Sequence, residues 1–424
     1  MNIQISSKIS SVSARQIFDS RGNPTVEACV VLENGSVGIA SSPSGASTGM
    51  YEAHEKRDGG KDFGGKGVLG AVESVNEDIA KILVGMDASL QREIDAKMCN
   101  ADGSENKSVF GANAILAVSL AVSKAAASSF DMPLYRYMGG AYARVLPIPM
   151  MNILNGGAHA SNNIDIQEFM IMPSGAKCFK DAMKMGCEVY AALKSLLSKD
   201  KLSVSVGDEG GFAPNLKSDE EALKYITDAI EKAGYKPEEE ISIALDIASS
   251  EWQFENKYKL VKQGSVLSAG ELMNYYESLI KKYPIISIED PFSEEDWKSF
   301  SLFTENHPDI QIVGDDLFVT NRQRIIKGID LKAANAVLIK PNQIGSLSET
   351  FDAVLVATEN GYNSIISHRS GETPDSTIAD IAVATNAGQI KTGAPARGER
   401  ISKYNRLLRI EEELGCAALF GGIY

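Results

Sequence analysis

The chain has 424 residues, 44% of them hydrophobic, with 42 Lys and Arg against 56 Asp and Glu, a formal charge of −14. Length alone predicts two or three domains, unless an α/β barrel takes about 250 residues by itself. The acidity argues against nucleic acid and anionic membrane as partners, because both recruit clustered positive charge.

The first third reads as a small α+β unit, residues 1–140. Residues 8–18, 24–33 and 36–42 are β-branched runs, with Asn34-Gly35 as a hairpin turn between the last two. Gly- and Ser-rich segments follow at 42–49 and 57–67, then helical patterns at 68–84, 89–99 and 111–129. The stretch 111–130 is apolar, but Asn113, Lys124 and its serines make it a buried helix rather than a membrane span. Gly65-Lys66-Gly67-Val68-Leu69-Gly70 fits a dinucleotide-binding pattern, yet no strand precedes it, so it reads as a helix entry. Pro147 and Pro149 mark a junction near 140.

Residues 141–424 change character. Short apolar runs each end in a reactive residue and pass through a loop into a helical stretch: ISIAL into Asp246, PIISI into Glu289, IQIVG into Asp315, AVLI into Lys340, SIIS into His368-Arg369, and GQI into Lys391. Alternating β and α elements predict a parallel sheet, here a (β/α)8-type barrel, with its active site at the strand C-termini. The five cysteines (Cys29, Cys99, Cys178, Cys187 and Cys416) are scattered and lack a C-x-x-C pair. They read as reduced, mostly buried thiols. The N-terminus, MNIQISSKIS, has no apolar signal core, and the expected setting is cytoplasmic without a membrane anchor.

Asp246, Glu289 and Asp315, from neighbouring strands, form an all-oxygen set suited to Mg²⁺. The alternative is that each acid pairs with a nearby Lys or Arg. Lys340 in a cationic neighbourhood can lose enough pKa to act as a base, and Lys391 can serve as a fixed positive charge. Arg369 with Ser370 offers a planar fork and a hydroxyl for phosphate. Earlier in the chain lie His159 in a Gly-rich loop, Glu168 beside Gln167 on an apolar strand, and Glu209 in VGDEGGFAP. A buried Glu is costly unless used or paired. Ser47 sits in SGASTG, a small-residue loop able to close as a lid.

These motifs resemble the enolase family. The resemblance runs from SARQIFDSRGNPTVE (13–27) through SGASTG, LNGGAHA, QEFM, VGDEGGFAP, ALDIAS, SIEDPF, VGDDL, LIKPNQIGS, SHRSGET and GQIKTGAPARGER to KYNRLLRIEEEL (403–414). It implies reversible dehydration of 2-phosphoglycerate to phosphoenolpyruvate through an ene-diolate, with two Mg²⁺ per site. By that resemblance Asp246, Glu289 and Asp315 hold one Mg²⁺ and Ser47 joins the second. Lys340 takes the C2 proton and Glu209 protonates the C3 hydroxyl, with Glu168, His159 and Gln167 near. Arg369 and Ser370 hold the phosphate, His368 borders it, and Lys391 pairs with substrate. It further implies a homo-oligomer, a dimer or an assembly of dimers.

The sequence departs from the family pattern at the GIASSPSGAS flank, at Pro341 after Lys340, and at His54 and Lys56. Competing readings are an enzyme acting on a phosphonate or carboxyphospho analogue, a mandelate-racemase-type relative, and a binding protein with a vestigial site. Glu209, Glu168, Arg369 and Ser370 weigh against the first, the full set of lid, Glu209-loop and Lys340 motifs against the second, and the intact site against the third as the main role.

Overall fold

A computed structural model describes residues 7–45 and 49–421, and of His159 the backbone alone. The chain opens with an antiparallel sheet, β1 (Ile9–Phe18), β2 (Pro24–Leu32) and β3 (Val37–Ser41), in that order. Asn34 and Gly35 make the predicted tight turn: Gly35 has φ 87°, and Asn34 Oδ1 accepts from Ser36 N at 2.9 Å. Helix Ala112–Ser129 packs on this sheet, and 83% of it is buried, so its apolar composition serves a core. Contact is close because β3 carries Gly38 against the helix backbone at Ala121 and Ala125, where a side chain would overlap the Ala121 carbonyl.

The predicted helix at 68–84 forms, with a π-type segment, Ser74–Ile79, inside it. Its entry is capped by Asp58, which accepts from Leu69 N and Gly70 N at 2.8 Å each. A carboxylate therefore stands where the decoy pattern would seat a pyrophosphate. Position 140 begins the turn Gly140–Tyr142, before the short β4 (Val145–Leu146).

Eight strands then close a barrel: β5 (Ile148–Asn155), β6 (Glu168–Met172), β7 (Ser242–Asp246), β11 (Ile285–Glu289), β12 (Gln311–Gly314), β13 (Ala336–Ile339), β14 (Asn363–Ser367) and β15 (Gly388–Lys391). A small antiparallel meander follows β7, formed by β8 (Gln253–Phe254), β9 (Lys257–Leu260) and β10 (Ser265–Leu267). The last strand, β16 (Leu419–Phe420), pairs with β4.

The sheet is not wholly parallel as predicted, because β6 runs antiparallel to both β5 and β7. The cause is the β5–β6 connection. It is a loop holding only the turn Gly157–His159, with no crossover helix to carry the chain back down the barrel. Between β6 and β7 two packed helices, Phe179–Lys199 and Asp219–Lys232, run up and back, which leaves their connecting loop at the barrel mouth. The barrel interior below the mouth is filled by Ile148, Met150, Met170, Ala244, Val313 and Leu338 among others.

The five cysteines are free thiols, but none is fully buried: Cys187 and Cys416 are exposed, and the other three are half-buried. Cys178 shows why, for it sits at a helix start where its Sγ accepts from Asp181 N.

Gly38→Ala is expected to destabilise the protein by about 1–3 kcal/mol by overpacking, read as a lower midpoint in urea unfolding.

Candidate active site

Strand ends and the reversed strand converge on one mouth. Asp246 and Glu289 end β7 and β11, Asp315 follows β12, Lys340 follows β13, His368–Ser370 follow β14, and Lys391 ends β15. Because β6 is reversed, its first residue lies at this same rim, with Glu168 in register beside Asp246. All these side chains are buried except that of Lys340, which is partly so.

Lys391 holds the centre. From β15 it reaches across to β11, four strands away in the closed order. Its Nζ lies 2.8 Å from Asp246 Oδ2, 2.8 Å from Glu289 Oε2 and 3.5 Å from Glu168 Oε2. Lys340 pairs with Asp315 Oδ2, while Gln343 donates to Asp315 Oδ1 at 2.9 Å. Thr320 ties these together, accepting from Lys340 N and donating to Gln343 Oε1, both at 2.9 Å. Arg369 is gripped by Glu52, with Nη1 2.8 Å and Nη2 3.2 Å from its two oxygens.

The electrostatics follow from burial among like charges. Burial, then Glu209, push the Glu168 carboxyl well above its ordinary range; burial, then Asp246, do the same to Glu289. Burial opposes the Lys391 ammonium, but Asp246, Glu168 and Glu289 outweigh it and hold the amine well above its usual range. At Asp315 burial raises the carboxyl, yet Lys340 outweighs it and the net shift is downward. Lys340 is shifted upward, the Asp315 charge overcoming burial. The sequence reading expected cationic surroundings to lower it; the nearest charge is instead a carboxylate.

Asp246, Glu289 and Asp315 thus offer hard oxygen donors on neighbouring strands, already gathered around ammonium groups. That chemistry fits a divalent cation such as Mg²⁺. A tighter acidic group, with oxygens within 4.8 Å of one another, comprises Asp290, Asp315 and Asp316. Asp290 there accepts Asp315 N at 2.9 Å and Asp316 N at 2.8 Å, so it acts as a strut that aims Asp315. Burial, then Asp315, push Asp316 up to about 7.

The opposite wall belongs to Glu209. Asn152 on β5 donates to Glu209 Oε2 at 3.0 Å, and His368 Nε2 stands 3.6 Å from the same oxygen. Burial pushes the His368 imidazole down to about 3, so it is neutral. Gln167 Nε2 lies 3.4 Å from Asp246 Oδ2, and Ser370 lines the cleft. The backbone of His159 lies in the β5–β6 loop, while its side chain and all of Ser47 lie outside the described residues.

Sequence reasoning missed Glu52, Asp290, Gln343, Asn152 and Arg400. The doublets Glu289-Asp290 and Asp315-Asp316 were a usable signal, since alternate residues past a strand end face different neighbours. Glu52 and Arg400 carried none, because their partners are 317 and 32 residues away.

Two family models match the chain. One described as the enolase N-terminal domain matches residues 9–138, and one described as the enolase C-terminal TIM barrel domain matches residues 143–424.

Lys391→Met strips the cation from buried carboxylates and is expected to cost about 3–5 kcal/mol in urea unfolding at neutral pH without metal. Glu168 and Glu289 have folded-state pKa values above the unfolded ones. The folded variant therefore binds protons more readily, and its deficit should shrink as pH falls below neutrality.

Proposed function

The chain belongs to the enolase family and is a lyase of that superfamily, and we propose that its reaction is the reversible, Mg²⁺-dependent dehydration of 2-phosphoglycerate to phosphoenolpyruvate. The observation that carries this reading is the opposition of a lysine and a carboxylate pair across the cleft. Lys340 follows β13; Glu168 opens β6, four strands away in either direction round the barrel. Glu209 is held beside Glu168 by Asn152 of the adjoining β5.

That opposition suits an elimination in which proton and hydroxyl leave from opposite faces. The Lys340 amine takes the proton from C2. Glu209 gives a proton to the C3 hydroxyl, the C3–O bond breaks with loss of water, and the C2–C3 double bond forms. Neither step is easy unaided: the C2 proton lies beside an existing carboxylate, and hydroxide leaves poorly, so a positioned base and acid are both needed. Arg369, oriented by Glu52, and Ser370 bind the phosphate. Asp246, Glu289 and Asp315 would hold one Mg²⁺, with Ser47 reaching a second, supplying positive charge against the substrate carboxylate and drawing Asp315 away from Lys340. A dimer or an assembly of dimers in the cytoplasm belongs to the same reading.

Formation of phosphoenolpyruvate, followed by absorbance, should require Mg²⁺ and stop with chelator. Lys340→Ala should lower hydrogen exchange at C2 by roughly 10²- to 10⁴-fold. Glu209→Gln should keep that exchange and lose dehydration. Loss of both in the Glu209 variant would overturn the division into base and acid, and turnover of a phosphonate analogue alone would overturn the substrate.

A further inference from the structure

Arg400, on helix Gly398–Leu414, is wholly buried, and its guanidinium joins two mouth loops. Its Nη2 donates to Ser370 O at 2.6 Å and to Asp208 O at 3.2 Å; its Nη1 donates to Arg369 O at 2.6 Å. The same Nη1 lies 2.6 Å from His368 Nδ1. A guanidinium has donors only, so at that distance Nδ1 must accept. The imidazole is neutral, and its one proton is then on Nε2, the nitrogen that faces Glu209 Oε2 at 3.6 Å.

We propose that Arg400 is a positioning residue that locks His368 in the Nε2–H tautomer, so that this N–H is aimed at Oε2 of Glu209. Asn152 Nδ2 donates to that oxygen too. With Asn152 already donating and the Nε2–H directed at the same atom from 3.6 Å, Oε2 is an accepting oxygen of Glu209. The tautomer would decide the outcome in a simple way. With the proton on Nδ1, a lone pair would face Oε2 and an N–H would face the guanidinium, and both approaches would be repulsive. The 3.6 Å separation leaves room to tighten around bound substrate, as catalytic hydrogen bonds commonly do.

The consequence for turnover rests on the reading of Glu209 as the acid, but the tautomer itself does not. Label the full-length protein with ¹⁵N-histidine and assign His368 among the four histidines by its loss in His368→Phe. Wild type should show a protonated Nε2 and an unprotonated, accepting Nδ1. Arg400→Met should give a tautomer mixture and lower dehydration of 2-phosphoglycerate by roughly 10- to 100-fold, while C2 hydrogen exchange persists. Arg400→Lys, which also only donates, should restore the Nε2–H signal and part of the dehydration rate. Should the Met variant fail to fold, the wild-type and Lys spectra still decide. A protonated Nδ1 in wild type would overturn the lock, as would an unchanged tautomer in Arg400→Met. A wild type with the Nε2–H signal but no turnover would sink the dehydratase reading and leave the lock standing.

Discussion

The ion pairs of Lys391 with Asp246 and Glu289 set the terms for the rest of the mouth. Carboxylates brought together out of water repel one another and are driven toward protonation. One ammonium reaching across the barrel offsets part of that repulsion, although Glu289 still sits well above its ordinary range. Lys340 does the same for Asp315, and Glu52 for Arg369. The balance of charge at the mouth is uneven, with eight carboxylate residues lining the cleft around Lys340, Arg369 and Lys391, an excess that suits a divalent cation.

Two irregularities in the barrel make that balance two-sided. The reversed β6 brings Glu168 to the rim from the start of a strand, and the double-helix detour before β7 brings Glu209 there on a loop. A barrel of eight uniform βα units would offer residues only from strand C-termini. Here Glu168 and Glu209 come from the departures, while the regular units supply Lys340, Lys391 and Arg369 together with Asp246, Glu289 and Asp315.

A surrounding layer of polar groups fixes the loops that carry the reacting groups. Asp290 braces the turn after β12, and Arg400 and Lys403 bind carbonyl groups of 368–373. Lys262, from the meander, donates to Gly157 O at 2.8 Å and Ala160 O at 3.0 Å, pinning the loop that carries His159. The N-terminal unit is stitched to the mouth through Ser44 and Gly371, whose backbones exchange two hydrogen bonds of 2.8 Å. These contacts explain why Glu52, from the first third of the chain, can serve a site built by the last two thirds.

Much was legible in the residues alone. The ends of β7, β11, β12, β13, β14 and β15 could be read because a strand is a short apolar run, and its first polar residue at a barrel mouth stands out in the text. The family followed from ordered motifs along nearly the whole chain. What the residues could not supply was direction and partnership. The reversal of β6 depends on a loop lacking a helix, and a Gly-rich stretch does not announce which way it returns. The upward shift of Lys340 depends on Asp315 being its nearest charge. The burial of Arg400 beside the apolar Tyr404 and Leu407 of its helix depends on carbonyl groups more than 25 positions away. Side-chain identity is local and survives in one dimension. Ion-pair partners, tautomers and strand direction are settled only when distant segments meet, because electrostatic and hydrogen-bond energies depend on distance in space and not along the chain.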